Sequence, residues 1–322
     1  MSATVLRAAT RGSPLARWQA DHVARLIRAA HPDVRVEAVP VETEGDRRLD
    51  VPISTFGGKG VFAKEVQAAV LDGRADLAVH SAKDLPAVTV DGLVLAAVPA
   101  RGEARDALVG SALDALAPGA TVATGSQRRR AQLAALRPDL RFVELRGNMA
   151  TRLSKVPTDG AIVVAAVALE RLGLADRIDE VLSLEQVVPQ VGQGALAIEC
   201  RAEDERTRAL LAAIEDPWTR TVVDAERAFL AELGGDCDLP AGAHAVAADA
   251  DTAAMGVTLV LHGFLAPELA ATEGTGASDE ARPSGAGRSP GEGAVRGSTA
   301  GDDPVAVGTA LARDLRAALA AP

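Results

Sequence analysis

Short apolar runs alternate with amphipathic stretches over most of the first 215 residues. Thr4–Ala9 is a compact, largely apolar run and predicts a strand. Ser13-Pro14 then supplies a capping hydroxyl and a proline suited to the first helical position, so a helix is predicted to about Ala30. Val34–Val39 predicts a second strand, and Glu42–Gly60, polar and then glycine-rich, a long loop. A helix over Val61–Leu71 and strands at Leu77–His80 and Leu93–Val98 follow. The pattern then restarts. Strands are predicted at Ala107–Val109, Thr121–Ala123, Arg141–Glu144, Ala161–Ala165 and Ala195–Glu199, and helices at Ser126–Leu136, Val167–Leu172 and Asp204–Ile214. Ala161–Ala165 is apolar throughout, as a strand covered on both faces must be. Repeated strand–helix alternation of this kind predicts two α/β lobes.

A third unit begins with the amphipathic helix Val222–Glu232 and continues with strands near Ala243–Ala247 and Val257–Leu261. Ala271–Asp303 is rich in Gly, Ser, Ala, Glu and Pro and nearly devoid of large apolar residues, so it is expected to be disordered. Pro304–Ala320 predicts a closing helix. The 322 residues suffice for two or three domains. The net charge of −10 argues against a general nucleic-acid binder. Residues 216–322 hold 7 of the basic and 16 of the acidic residues, so the remainder is close to neutral and its local basic clusters matter. No apolar run reaches the roughly 20 residues of a membrane span. No signal-peptide pattern opens the chain. Two cysteines, Cys200 and Cys237, make no disulfide scaffold, so a cytoplasmic location is expected. Only Lys59, Lys64, Lys83 and Lys155 are lysines among 34 basic residues, which marks each as a place where a compact ammonium is wanted.

The chemistry is concentrated in turns after strands, where open α/β sheets bind ligands. Arg11-Gly12-Ser13-Pro14 sets a guanidinium beside a helix start, which suits an anion, although Arg11 taken alone reads better as an ordinary surface arginine. Ser126-Gln127-Arg128-Arg129-Arg130 puts three cations in a helix's first turn, against the macrodipole, a conflict that an anionic ligand removes. Successive residues are about 100° apart, so two of the three arginines face one pocket at most. Arg146-Gly147-Asn148-Met149-Ala150-Thr151-Arg152 again flanks a helix start with arginines. Three such turns suit a molecule with several carboxylates or phosphates, which arginine forks bind in bidentate fashion. In His80-Ser81-Ala82-Lys83-Asp84-Leu85-Pro86, Asp84 is either a turn residue before Leu-Pro or a carboxylate that stabilises a cationic intermediate. Cys237 lies in the glycine loop Leu233-Gly234-Gly235-Asp236-Cys237-Asp238, where a thiol serves as a nucleophile or attachment point. Cys200 continues an apolar strand and reads as a buried structural thiol. No CxxC or His/Cys cluster suggests a metal, and none is expected.

Together these segments resemble the porphobilinogen deaminase (hydroxymethylbilane synthase) family. The resemblance runs through Arg7–Trp18, Gly57–Gln67, Arg74–Pro86, Thr124–Leu133, Arg146–Lys155, Val188–Arg201 and Glu226–Ala243. Its most specific parts are Arg74–Pro86 and Val191-Gly192-Gln193-Gly194-Ala195 followed by Ile198-Glu199-Cys200-Arg201. It implies two α/β lobes similar to type II periplasmic binding proteins and a small α+β C-terminal domain. The domains implied are residues 1–98 with 194–215, residues 99–193, and residues 216–322, the last departing from the family in being interrupted by residues 271–303, which composition reads as disordered. It implies a transferase that joins four porphobilinogen molecules head to tail, releasing ammonia and then the linear tetrapyrrole. The cofactor implied is a dipyrromethane held by thioether to Cys237. By position, Asp84 matches the catalytic aspartate. Ser13, Lys83, Ser126, Arg128, Arg129 and Arg146 match cofactor contacts, and Arg11, Lys59, Arg152 and Arg171 match substrate contacts. The implied protein is a cytoplasmic monomer whose partner is porphobilinogen, with no nucleic acid or membrane.

Three departures stand out. Asp236 precedes the cysteine where the family has a small residue, and Asp238 adds a second carboxylate; both oppose thiolate formation. Arg130 is a third arginine where the pattern asks for two. A non-catalytic polycarboxylate binder of the same two-lobed architecture is the alternative, and the loop cysteine separates the two, since a simple binder has no use for it.

Overall fold

The computed structural model describes residues 4–43, 63–234, 239–249, 258–267 and 293–321. The first lobe opens with strand β1 (Thr4–Arg11) and helix α1 (Pro14–Ala30). The Ser13 hydroxyl accepts from the Ala16 amide and caps α1, with Pro14 just inside it. Ala16, Ala20, Val23 and Ile27 recur on one face of the helix and bury it on the sheet. Strand β2 (Val34–Val41), helix α2 (Lys64–Leu71), strand β3 (Leu77–Ser81) and strand β4 (Leu93–Ala97) follow. The chain then crosses to the second lobe. That lobe contains β5 (Asp106–Val109), β6 (Thr121–Ala123), α3 (Gln127–Leu136), β7 (Arg141–Val143), α4 (Met149–Leu153), β8 (Gly160–Ala165), α5 (Ala166–Arg171) and β9 (Glu180–Val181). A return crossing leads to β10 (Leu196–Arg201) and α6 (Glu205–Ala212) in the first lobe.

The two five-stranded sheets share one topology, β2-β1-β3-β10-β4 and β7-β6-β8-β5-β9. In each, the fourth strand is antiparallel to the third and is contributed by the segment that has just crossed over. The lobes are therefore joined twice, and each join runs directly into the fourth strand of a sheet. Gly194 lies on the return crossing at φ +89°, where an added Cβ would stand 2.6 Å from the Gly102 carbonyl of the outward crossing. Only glycine lets the two crossings pass this closely.

The C-terminal unit packs α7 (Pro217–Glu232) and α8 (Pro304–Ala320) on one face of the antiparallel sheet β11 (Ala241–Ala247), β12 (Leu259–Leu265) and β13 (Val295–Gly301). Phe229, Leu259, Leu261, Leu311 and Leu315 fill its core.

The described residues correct one expectation. Residues 293–303 are not disordered: Val295–Gly301 pairs residue for residue with β12 along its length. A strand of small and polar residues is possible here because β12 and α8 supply the apolar cover. The predicted loop over residues 44–60, with Lys59, lies outside the described residues, as do the start of the predicted 61–71 helix and residues 268–292.

Candidate functional site

β1 and β3 of the first lobe end at the interlobe cleft, opposite the starts of α3 and α4. After β3 the chain makes a single 3₁₀ turn, Ala82–Asp84. The Ala82 amide donates to the Ala195 carbonyl at 3.0 Å, and the Gln190 side chain donates to the Lys83 carbonyl at 3.3 Å, so the return crossing holds this turn from behind. Asp84 lines a narrow cavity with Arg11, Gln19, His80 and Ser81. Gln19, buried on α1, donates to the Ser81 hydroxyl at 2.8 Å. Behind it, His80 and Glu199 form a buried contact at 3.1 Å, and Gln67 donates to the same Glu199 carboxylate.

Lys83 Nζ donates to Gln193 Oε1 at 3.2 Å. Burial pushes its pKa down to about 8, the nearby Arg129 pushes the same way, and Asp84 and Asp106 resist. Burial likewise lowers Arg152, with Arg129 and Arg146 adding repulsion and Asp84 opposing it. Lys83, Arg129 and Arg152 thus repel one another around two carboxylates, Asp84 and the buried Asp106 that pairs with Arg129. A ligand carrying several carboxylates relieves that repulsion, so these residues fit a dipyrromethane and its growing pyrrole chain.

The helix starts behave as the sequence predicts. Ser126 accepts from the Arg129 amide and caps α3, and Asn148 accepts from the Thr151 amide and caps α4. Arg146 pairs with Glu144 at 3.0 Å, and Arg152 Nε donates to the Gly147 carbonyl. Arg130 turns away from its neighbours and lies over the Phe142 ring. Arg128 and Arg129 both bind the fully buried Asp106, at 2.7 Å each. Arg128 also donates to the Val188 carbonyl, whereas Arg129 reaches Val163 and Gln193. The two guanidiniums and Asp106 stitch α3 to β5, β8 and the return crossing. The pair holds Asp106 strongly in its charged form.

Arg171, at the end of α5, donates to the Gly194 carbonyl at 2.6 Å. Cys200 is buried in β10, and burial pushes its thiol up to about 11, which fits an inert structural role. Cys237, Asp236 and Asp238 lie outside the described residues, between α7 and β11.

Sequence reasoning missed Asp106, Gln193 and Gln19. Asp106 carried a signal, a lone acid at the head of the apolar run Ala107–Val109. Gln193 lies within a motif already singled out, but its contacts to Lys83, Ala104 and Asp106 appear only when the crossings meet. Among the described residues no group of three or more His, Cys, Asp or Glu is placed to hold a metal, and no helix is long and apolar enough to cross a membrane.

Comparison with solved structures returns matches at low similarity. One is the methionine binding protein MetQ, at 13% identity, TM-score 0.40, over 67% of this chain and 92% of that one. Another is the BenM effector binding domain with benzoate, at 15% identity, TM-score 0.40, over 66% and 91%. The sequence comparisons are far closer. Porphobilinogen deaminase of Syntrophotalea carbinolica is 47% identical over 268 residues, covering 82% of this chain and 85% of the relative. Porphobilinogen deaminase of Nitratidesulfovibrio vulgaris is 51% identical over 244 residues, covering 74% and 77%. The family model for the porphobilinogen deaminase dipyromethane cofactor binding domain matches residues 6–209, and that for the C-terminal domain matches residues 220–286. With the cation cluster around Asp84 and this match along most of its length, the chain belongs to the porphobilinogen deaminase family.

Proposed function

We propose that the cleft around Asp84 is where this chain carries out the reaction of its family. The chain is a transferase that joins four porphobilinogen molecules head to tail on a covalent dipyrromethane, losing one ammonia per unit joined, after which water cleaves the chain from the cofactor and releases the linear hydroxymethylbilane. The enzyme names of its relatives disfavour the alternative of a non-catalytic polycarboxylate binder. The observation that carries the assignment to this cleft is Asp84, a carboxylate set among Lys83, Arg129 and Arg152 at the end of β3.

The dipyrromethane, attached through Cys237, supplies the pyrrole carbon to which the first unit is joined. Lys83, Arg129 and Arg152 bind carboxylates of the pyrrole side chains, and Arg11, Arg146, Arg171, Ser13 and Ser126 extend that cage along the cleft. Lys59 belongs to the same set by its match to the family motif. Arg128 contributes from beneath, by fixing Asp106 and so the position of Arg129. Positive charge develops on the substrate as ammonia leaves its aminomethyl carbon, and the Asp84 carboxylate stabilises it. The same carboxylate accepts pyrrole N–H groups and orients each ring. We take the domains to be residues 1–98 with 194–215, residues 99–193, and residues 216–322, and sheet membership supports that division. A cytoplasmic monomer is the form expected to act.

Asp84→Asn tests the assignment, because it keeps the shape and removes the charge. Turnover should fall by several orders of magnitude while cofactor content, read by intact mass, stays at the holo value. Asp84→Glu should retain more activity than the amide. A near-wild-type rate for Asp84→Asn would leave Asp84 a turn residue only. Cys237→Ser should yield protein at the apo mass, and a holo mass in that variant removes Cys237 from the mechanism.

A further inference from the structure

Arg171 belongs to the second lobe, yet its guanidinium is held from outside it. The guanidinium donates to Gly194 on the return crossing, and its central carbon lies 5.2 Å from the ring centre of Trp18 on α1 of the first lobe. Trp18 is itself held in place. His22, one turn further along α1, stacks on the indole with ring centroids 5.0 Å apart and planes 7° apart. Arg25 approaches the same ring at 5.9 Å. Leu15, one turn earlier, packs against Ala165, Val167 and Ala168 around the start of α5, so the two helices meet along one seam between the lobes. Burial brings the Arg171 pKa down to about 10, which leaves it a cation at neutral pH. A guanidinium has five N–H donors, and among the described residues no carboxylate lies within ion-pair distance of this one.

We propose that Trp18 is a positioning residue: its ring holds the Arg171 guanidinium across the lobe boundary and leaves the remaining donors free for a substrate carboxylate. A cation over an aromatic face is drawn to the ring's negative face, more strongly where water is excluded. The flat guanidinium also stacks on the indole, which an ammonium cannot do. Trp18 acts through Arg171 and touches no reacting atom. Its loss therefore weakens substrate binding and leaves the chemical step in place. The proposal rests on Arg171 being a substrate contact.

Steady-state kinetics of the holoenzyme with porphobilinogen supply the first test. Trp18→Leu should raise KM about tenfold, equivalent to about 1.4 kcal/mol, at a nearly unchanged kcat. Trp18→Phe, which keeps a ring, should raise KM by less than about threefold. In an Arg171→Gln background, Trp18→Leu should add nothing further. An unchanged KM in Trp18→Leu, a fall in kcat alone, or additive effects in the double variant would each overturn the proposal. Fluorescence supplies a second test that needs no turnover. The chain has two tryptophans, so Trp218→Phe leaves Trp18 as the sole emitter. Adding Arg171→Gln to that protein should change the emission, and an identical spectrum overturns the contact. If the unmodified protein consumed no porphobilinogen, the activity would fail separately, and the emission would still decide whether Trp18 holds Arg171.

Discussion

Glu226 offers a test of how the third domain is fastened to the joins between the lobes. It is fully buried on α7, and each of its partners is a donor or is cationic when protonated. Arg101 on the outward crossing donates twice, at 2.7 and 3.1 Å. The amide of Gly192 on the return crossing donates at 2.7 Å, the Ala245 amide of β11 at 3.1 Å, and His244 Nδ1 lies 3.3 Å away. One carboxylate therefore ties both crossings to the helix and the strand that flank the Cys237 loop. Burial opposes its charge, but Arg101 and His244 prevail and hold its pKa at about 2. The unfolded value is near 4.3, so the charged form is favoured in the fold by roughly two pKa units, or about 3 kcal/mol. That agrees with the ~3–5 kcal/mol expected for breaking a buried ion pair from one side. Glu226→Gln keeps the shape but removes the charge and points an N–H₂ at a ring of donors. It should lower stability by about 3 kcal/mol at pH 7, read from urea unfolding. A depressed carboxyl contributes stability that is present above its unfolded pKa and lost as pH falls through its folded pKa. The gap between the two proteins should therefore stay constant from pH 7 to about pH 5 and narrow below about pH 4.5. A gap below about 1 kcal/mol, or one that stays constant down to pH 3, would refute the electrostatic account of this hub.

Lys83 should lose its charge as pH rises through about 8, so dipyrromethane assembly on apo-protein, followed by intact mass, should slow between pH 7 and 9. Lys83→Arg should flatten that profile, and a flat profile in the unmodified protein removes Lys83 from cofactor binding. Arg130→Ala should leave activity within about twofold and reduce stability by at most ~1 kcal/mol, since it gives up a contact with Phe142. A loss as deep as that of Arg129→Ala would place Arg130 in the cleft. Leu265 and Val295 face each other in the β12–β13 register, so a short Gly/Ser linker in place of residues 268–292 should leave the melting temperature and cofactor content intact. Deleting residues 293–303 as well should unfold the C-terminal unit, and an unchanged melting temperature would show that β13 contributes nothing.

What local sequence determines here is the set of elements and the chemistry at their ends. Ser13 caps the helix it was expected to cap, and Ser126 and Asn148 cap theirs in the same way, because a capping side chain acts within three residues. The all-apolar run Ala161–Ala165 is a buried central strand, because only a strand covered on both faces lacks alternation. Arg130 diverges from Arg128 and Arg129 because helix geometry turns about 100° per residue. Long-range pairing was not legible. Nothing local to Asp106 says that two arginines more than twenty residues later will close on it, nor that Gln193 will reach Lys83 across 110 positions. Those contacts exist because the chain crosses between lobes twice and the crossings meet at Gly102 and Gly194. β13 is the clearest case. Val295–Gly301 has almost no apolar side chains of its own, so composition reads it as unable to offset its ordering entropy. Its cover comes from elsewhere: β12 satisfies its backbone, and Leu315 of α8 lies 3.1 Å from where a Cβ on Gly297 would stand. A segment's own residues set its local propensity, but burial is decided by the elements that the fold brings against it.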